Sequence, residues 1–244
     1  MDNRKPTERQ DRYVKISRRH FMKYTGTIVF ALGSGRYVFA EQIPTPTLKP
    51  NGIDAKIPPS HGYLLVDIKK CQGCTSCMLA CTLVHEGVQN PSLARIQIIQ
   101  NPFESYPDDL TIEQCRQCVE PACVEACPEN AITAPAAIGH VRVVDKTRCI
   151  GCGECQTACP FTPGRPVLSS DEQFNSEITA SKCDLCSQTP YHWDKAGGGP
   201  GGKMACVEVC PVGAIKFTNT IPVQEGDQGY KVNLRDRTWQ RLGY

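Results

Sequence analysis

The sequence predicts an α+β fold, loop-rich, in which one small unit repeats. Three observations predict it. The 244 residues include 19 prolines and 20 glycines, and 40% are hydrophobic, too much turn chemistry and too little apolar surface for a core of regular helices alone. Cysteine supplies 16 residues, and all of them fall into four groups of four. The flanks of the groups recur as well. "YLLVDIKKC" and "VRVVDKTRC" read as one short strand and turn entering a cysteine loop, and "PENAIT" and "PVGAIK" as one exit from a helix into a strand.

The chain opens on residues 1–40, a basic arm of nine Lys/Arg against three Asp/Glu. Ser17-Arg18-Arg19-His20-Phe21-Met22-Lys23 resembles the twin-arginine export pattern, with Met22 in place of Leu. A mildly apolar stretch, Tyr24 to Ala40, follows, interrupted by Arg36, and Val38 and Ala40 form a small-residue cleavage site before Glu41. The bland alternative is an amphipathic N-terminal helix. Residues 41–60 read as a Pro-rich extended linker. From residue 41 onward eighteen basic residues face twenty-two acidic ones, a balance that argues against nucleic acid as a partner. No run of eighteen apolar residues occurs, so no transmembrane span is expected in the mature chain.

The four groups carry the chemistry. Group one is Cys71, Cys74, Cys77 and Cys81; group two is Cys115, Cys118, Cys123 and Cys127. Group three is Cys149, Cys152, Cys155 and Cys159; group four is Cys183, Cys186, Cys206 and Cys210. Groups one and three follow C-x2-C-x2-C-x3-C, the spacing of bacterial 4Fe–4S loops. Three cysteines on a tight loop suit three irons of one cubane, and the x3 step starts a helix that carries the fourth cysteine to a second cluster. Gly73, Ser76, Gly151 and Gly153 are expected to take the unusual dihedrals of such loops. Pro128, Pro160 and Pro211 follow the last cysteine of groups two to four, where group one has Thr82. Disulfides would not require near-copies of a three-cysteine loop. Zinc prefers two separated C-x2-C pairs, and c-type haem needs a His after C-x-x-C that none of these pairs has. Sixteen ligands imply four 4Fe–4S clusters. Spacing leaves the pairing open: group one with two and three with four, or two with three nested inside one with four.

From about His61 to Thr218 the chain resembles the four-cluster, ferredoxin-like electron-transfer subunits of molybdopterin oxidoreductases, such as dimethyl sulfoxide, tetrathionate and polysulfide reductases and formate dehydrogenases. The resemblance implies two nested bacterial-ferredoxin-like modules within 61–218. The inner one covers about 110–165 and the outer one is built from the groups at 71–81 and 183–210, with 219–244 as a C-terminal tail. Carried over, Cys71, Cys74, Cys77 and Cys210 hold one cluster, and Cys81, Cys183, Cys186 and Cys206 its neighbour. Cys115, Cys118, Cys123 and Cys159 hold the third, and Cys127, Cys149, Cys152 and Cys155 the fourth. It further implies a periplasmic wire between a catalytic molybdopterin or tungstopterin subunit and a membrane quinone-interacting subunit. Folded export would suit clusters assembled in the cytoplasm. The alternatives are a free soluble polyferredoxin and the electron-transfer subunit of a periplasmic hydrogenase or nitrite reductase system.

The polypeptide offers no catalytic constellation of its own: no phosphate loop after a strand and no nucleophile with a base. His61, His85, His140 and His192 lack ligand spacing and read as surface or packing residues. Lys70, Arg148 and Lys182 each precede a first cysteine, either to raise a cluster potential or to solvate a turn. The glycine-rich insertion 187–205 reads as a docking loop or a solvated excursion.

Overall fold

The computed structural model describes residues 57–106, 108–171, 177–226 and 228–241. The leader, and all of the linker but its last four residues, lie outside the described residues.

Four copies of strand, cysteine loop, helix and strand follow one another. The first runs through β1 (Tyr63–Val66), α1 (Ser76–Glu86) and β2 (Ile96–Gln100). The second comprises β3 (Leu110–Gln114), α2 (Ala122–Glu125) and β4 (Ile132–Thr133). The third comprises β5 (Val143–Val144), α3 (Glu154–Thr157) and β6 (Val167–Asp171), and the fourth β7 (Glu177–Ser181), α4 (Ala205–Glu208) and β8 (Ile215–Thr218). A short helix α5 (Arg237–Arg241) follows.

Strand pairing joins the repeats into a closed series. Each exit strand pairs antiparallel with the next entry strand: β2 with β3, β4 with β5, β6 with β7. The last exit returns to the first entry, β8 to β1, with Tyr63 opposite Thr218 and Val66 opposite Ile215. Every sheet has two strands, so the hydrophobic contacts between repeats, rather than sheet area, must stabilise the body. The main core gathers Leu64, Val66, Val84, Ile96, Ile112, Val141 and Leu185 around the cysteines of groups one and four. A smaller cluster of Ile132, Val144 and Ala180 packs beside group three.

Helix lengths follow from what stands after the fourth cysteine. Pro128, Pro160 and Pro211 supply no N–H and stop α2, α3 and α4 at a single turn. Thr82 imposes no such stop. Helix α1 continues through Cys81 to Glu86 and ends on Gly87, which is left-handed at φ 69°. The added length, about two turns, carries His85 to a buried position.

Two expectations change. Ser76 is the first residue of α1, and Thr75 before it takes the left-handed conformation at φ 57°, as Gly153 does at 82° in repeat three. The special position in this part of the loop therefore precedes Ser76 by one residue. Of the stretch 219–244, expected as a tail, the described residues Tyr230, Lys231 and Arg235 pack back on the body. Tyr230 is buried and donates its hydroxyl to the Arg116 carbonyl at 2.7 Å. Lys231 bridges to Val66, and Arg235 pairs with buried Asp67 at 3.1 Å.

The insertion 187–205 folds on itself and onto the body. Lys203 N donates to Gly197 O at 3.1 Å, Gly199 N to Leu185 O at 2.6 Å and Tyr191 N to Val84 O at 3.1 Å. A Cβ on Gly198 would stand 2.3 Å from the Cys186 Cβ, so the insertion lies directly over that cysteine. Among the described residues no helix is long and apolar enough to cross a membrane.

Candidate metal centres

Each cysteine loop has a left-handed residue two positions after its first cysteine. These are Gly73 (φ 66°), Gln117 (50°), Gly151 (65°) and Leu185 (54°). In repeats one and three the residue is glycine and the conformation costs little. Gln117 and Leu185 are held there by burial. The Gln117 amide donates to Cys183 O at 2.8 Å and accepts from Arg142 N at 2.8 Å.

All sixteen cysteines are free thiols, and the loops gather them around four cavities. Cys71, Cys74, Cys77 and Cys210 line one; Cys81, Cys183, Cys186 and Cys206 line the next. Cys115, Cys118, Cys123 and Cys159 line the third, and Cys127, Cys149, Cys152 and Cys155 the fourth. Each cavity thus collects one of the four sets that the resemblance implies. Empty space runs from about 290 Å³ in the Cys81 cavity to about 390 Å³ in the Cys115 cavity, part of it open to solvent. Helices link them in pairs. Cys77 and Cys81 share α1, and α4 carries Cys206 just ahead of Cys210. The helices α2 and α3 join the Cys115 and Cys127 cavities in the same way. Between the pairs, Cys115 and Cys183 are electrostatic neighbours with buried Lys182 beside both. The order is Cys71, Cys81, Cys115, Cys127, with an exposed cysteine at each end, Cys74 and Cys152.

Backbone N–H groups point at the sulfurs. The fourth cysteine of every group receives one: Cys81 from Arg95 at 3.4 Å, Cys127 from Ala131 at 3.2 Å, Cys159 from Arg165 at 3.4 Å and Cys210 from Ala214 at 3.2 Å. Ala131 and Ala214 occupy the same place in "PENAIT" and "PVGAIK". Left-handed Asn130 and Gly213 just before them turn the chain so that the amide faces back.

Burial raises the pKa of eight of the thiols, Cys71 among them. It pushes Cys77, Cys123 and Cys186 up to about 12, and Cys118 and Cys155 to about 11. Burial also raises Cys183 and Cys206 well above the ordinary thiol value. Binding of metal as thiolates must therefore expel protons. Cys81 is the exception: burial opposes its ionisation, but hydrogen bonding and charge from His85, with help from Arg95, outweigh it and lower the pKa. His85 in turn is tied to Asp184 at 2.9 Å. Its burial would lower its pKa, yet the Asp184 carboxylate carries it up to about 9. Arg95 completes the group, 3.0 Å from Asp184 and 3.3 Å from Glu86. Sequence spacing offers one signal for this cluster, the i, i+4 step from Cys81 to His85 on a helix; Arg95 and Asp184 come from distant segments.

The three basic residues that precede a first cysteine part company. Lys182 is buried, donating to Arg142 O and Cys183 O. Lys70 caps the Leu234 carbonyl at 3.1 Å and lies 5.9 Å over the Trp239 ring. Arg148 is exposed and donates to Glu129 O at 2.7 Å. Of the other histidines, His61 and His140 meet edge to face at 5.4 Å, and His192 bonds the Lys203 carbonyl within the insertion.

These cavities fit 4Fe–4S clusters by their donors. Thiol sulfur is the ligand such clusters take, four to a cluster. Among the described residues no three His, Cys, Asp or Glu side chains converge closely enough to hold one metal ion, so the sulfurs surround a space instead of a point. Around the Cys115 cavity, Arg142 Nε and Arg165 Nε are buried with no acceptor among the described residues, donors that suit an anionic guest.

Comparison with known proteins agrees with this donor chemistry. The family model of the 4Fe-4S dicluster domain matches residues 108–220. Protein NrfC of Escherichia coli is 35% identical, with 83% of this chain and 80% of NrfC covered. The polyferredoxin-like subunit of an aliphatic sulfonate oxidoreductase from Pyrococcus furiosus is 35% identical, covering 61% of this chain and 70% of its own. A tetrathionate reductase subunit of Salmonella typhimurium is 35% identical over 64% of this chain and 57% of that one. Among solved structures, the active-site complex BamBC of benzoyl coenzyme A reductase has a chain with 18% identity, covering 75% of this chain and 86% of that one, at a TM-score of 0.32, too low to argue from. With relatives of this identity and coverage, the chain belongs to the 4Fe–4S dicluster family of iron–sulfur electron-transport proteins.

Proposed function

We propose that the chain holds four 4Fe–4S clusters and serves as a periplasmic electron-transfer subunit. Its partners are a catalytic molybdopterin or tungstopterin subunit on one side and a membrane quinone-linked subunit on the other. The observation that carries this reading is the series of four cavities, each lined by four cysteines, running between exposed Cys74 and exposed Cys152. When bound, a 4Fe–4S cluster supplies one-electron storage. The residues supply the rest. The thiolates hold the four centres in a fixed order, and amide N–H groups at the fourth cysteines offset the negative charge gathered on sulfur. The insertion covers the Cys186 side of the Cys81 cavity. The exposed end cysteines suit entry and exit of electrons, and buried interior ones suit passage without loss to solvent.

Export by the twin-arginine route rests on Arg18 and Arg19, and a fixed wire is favoured over a free shuttle by the linear order. One preparation tests all three parts. Recovered anaerobically from the periplasmic fraction, the native protein should migrate in a complex and contain sixteen irons with matching sulfide per chain. Eight irons, or zinc in their place, would overturn the cluster assignment. A cytoplasmic protein would overturn the export reading, and a chain migrating alone would favour the soluble carrier.

A further inference from the structure

Three of the four cavities carry little charge beyond their thiols. Among the described residues, no charged side chain lines the Cys71 cavity, and Glu129 is the one charged residue lining the Cys127 cavity. The Cys81 cavity has Arg95 and His85, both tied to Asp184. The Cys115 cavity is different. Arg116, Arg142, Arg165 and Lys182 all line it, and they are 1%, 1%, 7% and 2% exposed.

What holds these cations matters as much as their number. Arg142 donates to the carbonyls of His140 at 2.8 Å and Val119 at 3.5 Å. Lys182 donates to the carbonyls of Arg142 and Cys183. The Arg116 guanidinium lies 4.6 Å over the Tyr230 ring and 5.7 Å over Phe161. The carbonyls fix Arg142 and Lys182 in place without cancelling their charge. Arg165 is paired with a carboxylate, Glu113. The cavity therefore keeps a large positive potential in a buried, low-dielectric setting, where charge acts strongly.

Resting on the cluster reading above, we propose that Arg142 and Lys182 make the Cys115 cavity the site of easiest reduction in the chain. One electron enters from a neighbouring centre, no bond forms or breaks, and no proton need accompany it. The added negative charge is stabilised by Arg142 and Lys182, held by carbonyls, whereas the Cys81 cavity's Arg95 and His85 are tied to the Asp184 carboxylate. The site is second from the Cys152 end of the series, so an electron passing along the chain pauses there.

Redox titration of the full holoprotein with dithionite, followed by electron paramagnetic resonance, tests this, with Cys118→Ser marking which signal belongs to the Cys115 cavity. That signal should titrate at the highest potential of the four. Lys182→Met, or Arg142→Gln, should lower it so that its oxidised-to-reduced ratio at fixed potential rises at least tenfold, about 59 mV for one electron. Lys182→Arg should leave it in place. Glu113→Gln, which removes a negative charge beside Arg165, should move the same signal upward. This variant keeps the test decisive if Lys182→Met fails to load iron. If clusters are present but a different centre titrates highest, or the Cys115 signal ignores all these changes, the inference falls and the electron-transfer reading stands. If the wild-type chain binds no clusters, both fall.

Discussion

Repeats one and three bend their cysteine loops on glycine, Gly73 and Gly151, whereas repeats two and four reach the same left-handed turn with Gln117 and Leu185. The first pair relies on local freedom and holds the two exposed cysteines, Cys74 and Cys152. The second pair relies on its surroundings. Gln117 and Leu185 are fully buried where the pairs of cavities meet, Gln117 bonded to both Cys183 and Arg142 and the Leu185 carbonyl accepting from Gly199 in the insertion. The same backbone shape can thus come from the residue itself or from what packs on it. Repeats one and three display their motif openly, and repeats two and four are enforced from outside.

Substitutions at these turns would break or sharpen that contrast. The largest effect is expected at Gly151→Ala. Its Cβ would fall 2.2 Å from the Ile178 carbonyl in β7, besides the strain of φ 65°, and should cost on the order of 3 kcal/mol with loss of iron from the Cys127 cavity. Next, Gln117→Leu leaves Arg142 N without its partner in the interior and Cys183 O with Lys182 Nζ as its remaining donor, for a loss of about 2 kcal/mol. An unchanged urea midpoint would show that burial alone holds the turn. Gly73→Ala meets the Leu110 side chain at 3.4 Å and should cost about 1 kcal/mol. Urea midpoints and iron content compare it with Gly151→Ala, and equal losses would mean that conformation, not contact, dominates. The smallest effect has the opposite sign. Thr75, β-branched and left-handed at φ 57°, occupies the place of Gly153, so Thr75→Gly should stabilise by roughly 0.5 kcal/mol in the same melts.

The sequence shows what lies close along the chain and conceals what distance brings together. Cysteine spacing and the repeated flanks are local, so the recurring strand, loop and helix can be read directly. Thr82 is visible as a departure from proline, but its result, a longer helix that seats His85 on Cys81 and Asp184, needs a partner 99 positions away. Lys70, Arg148 and Lys182 hold the same place in the motif, and only packing separates the buried one from the two at carbonyls near the surface. The cations of the Cys115 cavity arrive from four segments with no common spacing. The packing of residues 219–241 is equally non-local: it rests on Asp67, Val66 and the Arg116 carbonyl, partners that nothing in the tail itself announces. Ser76 misses the turn by one residue for a simpler reason: small size suggests the turn, while the helix start decides it.

The return of β8 to β1 also sets a timetable for synthesis. The Cys115 and Cys127 cavities have all their sulfurs once residue 159 has left the ribosome. The three thiols of the first loop wait until Cys210 emerges, and Cys81 waits for Cys183, Cys186 and Cys206. The middle of the chain can therefore mature while its two ends are still strangers, and the ends are joined last by contacts of long sequence separation, the slowest kind to form. A chain halted before β7 would carry a finished centre and an orphaned beginning, four reactive thiols with nothing to share.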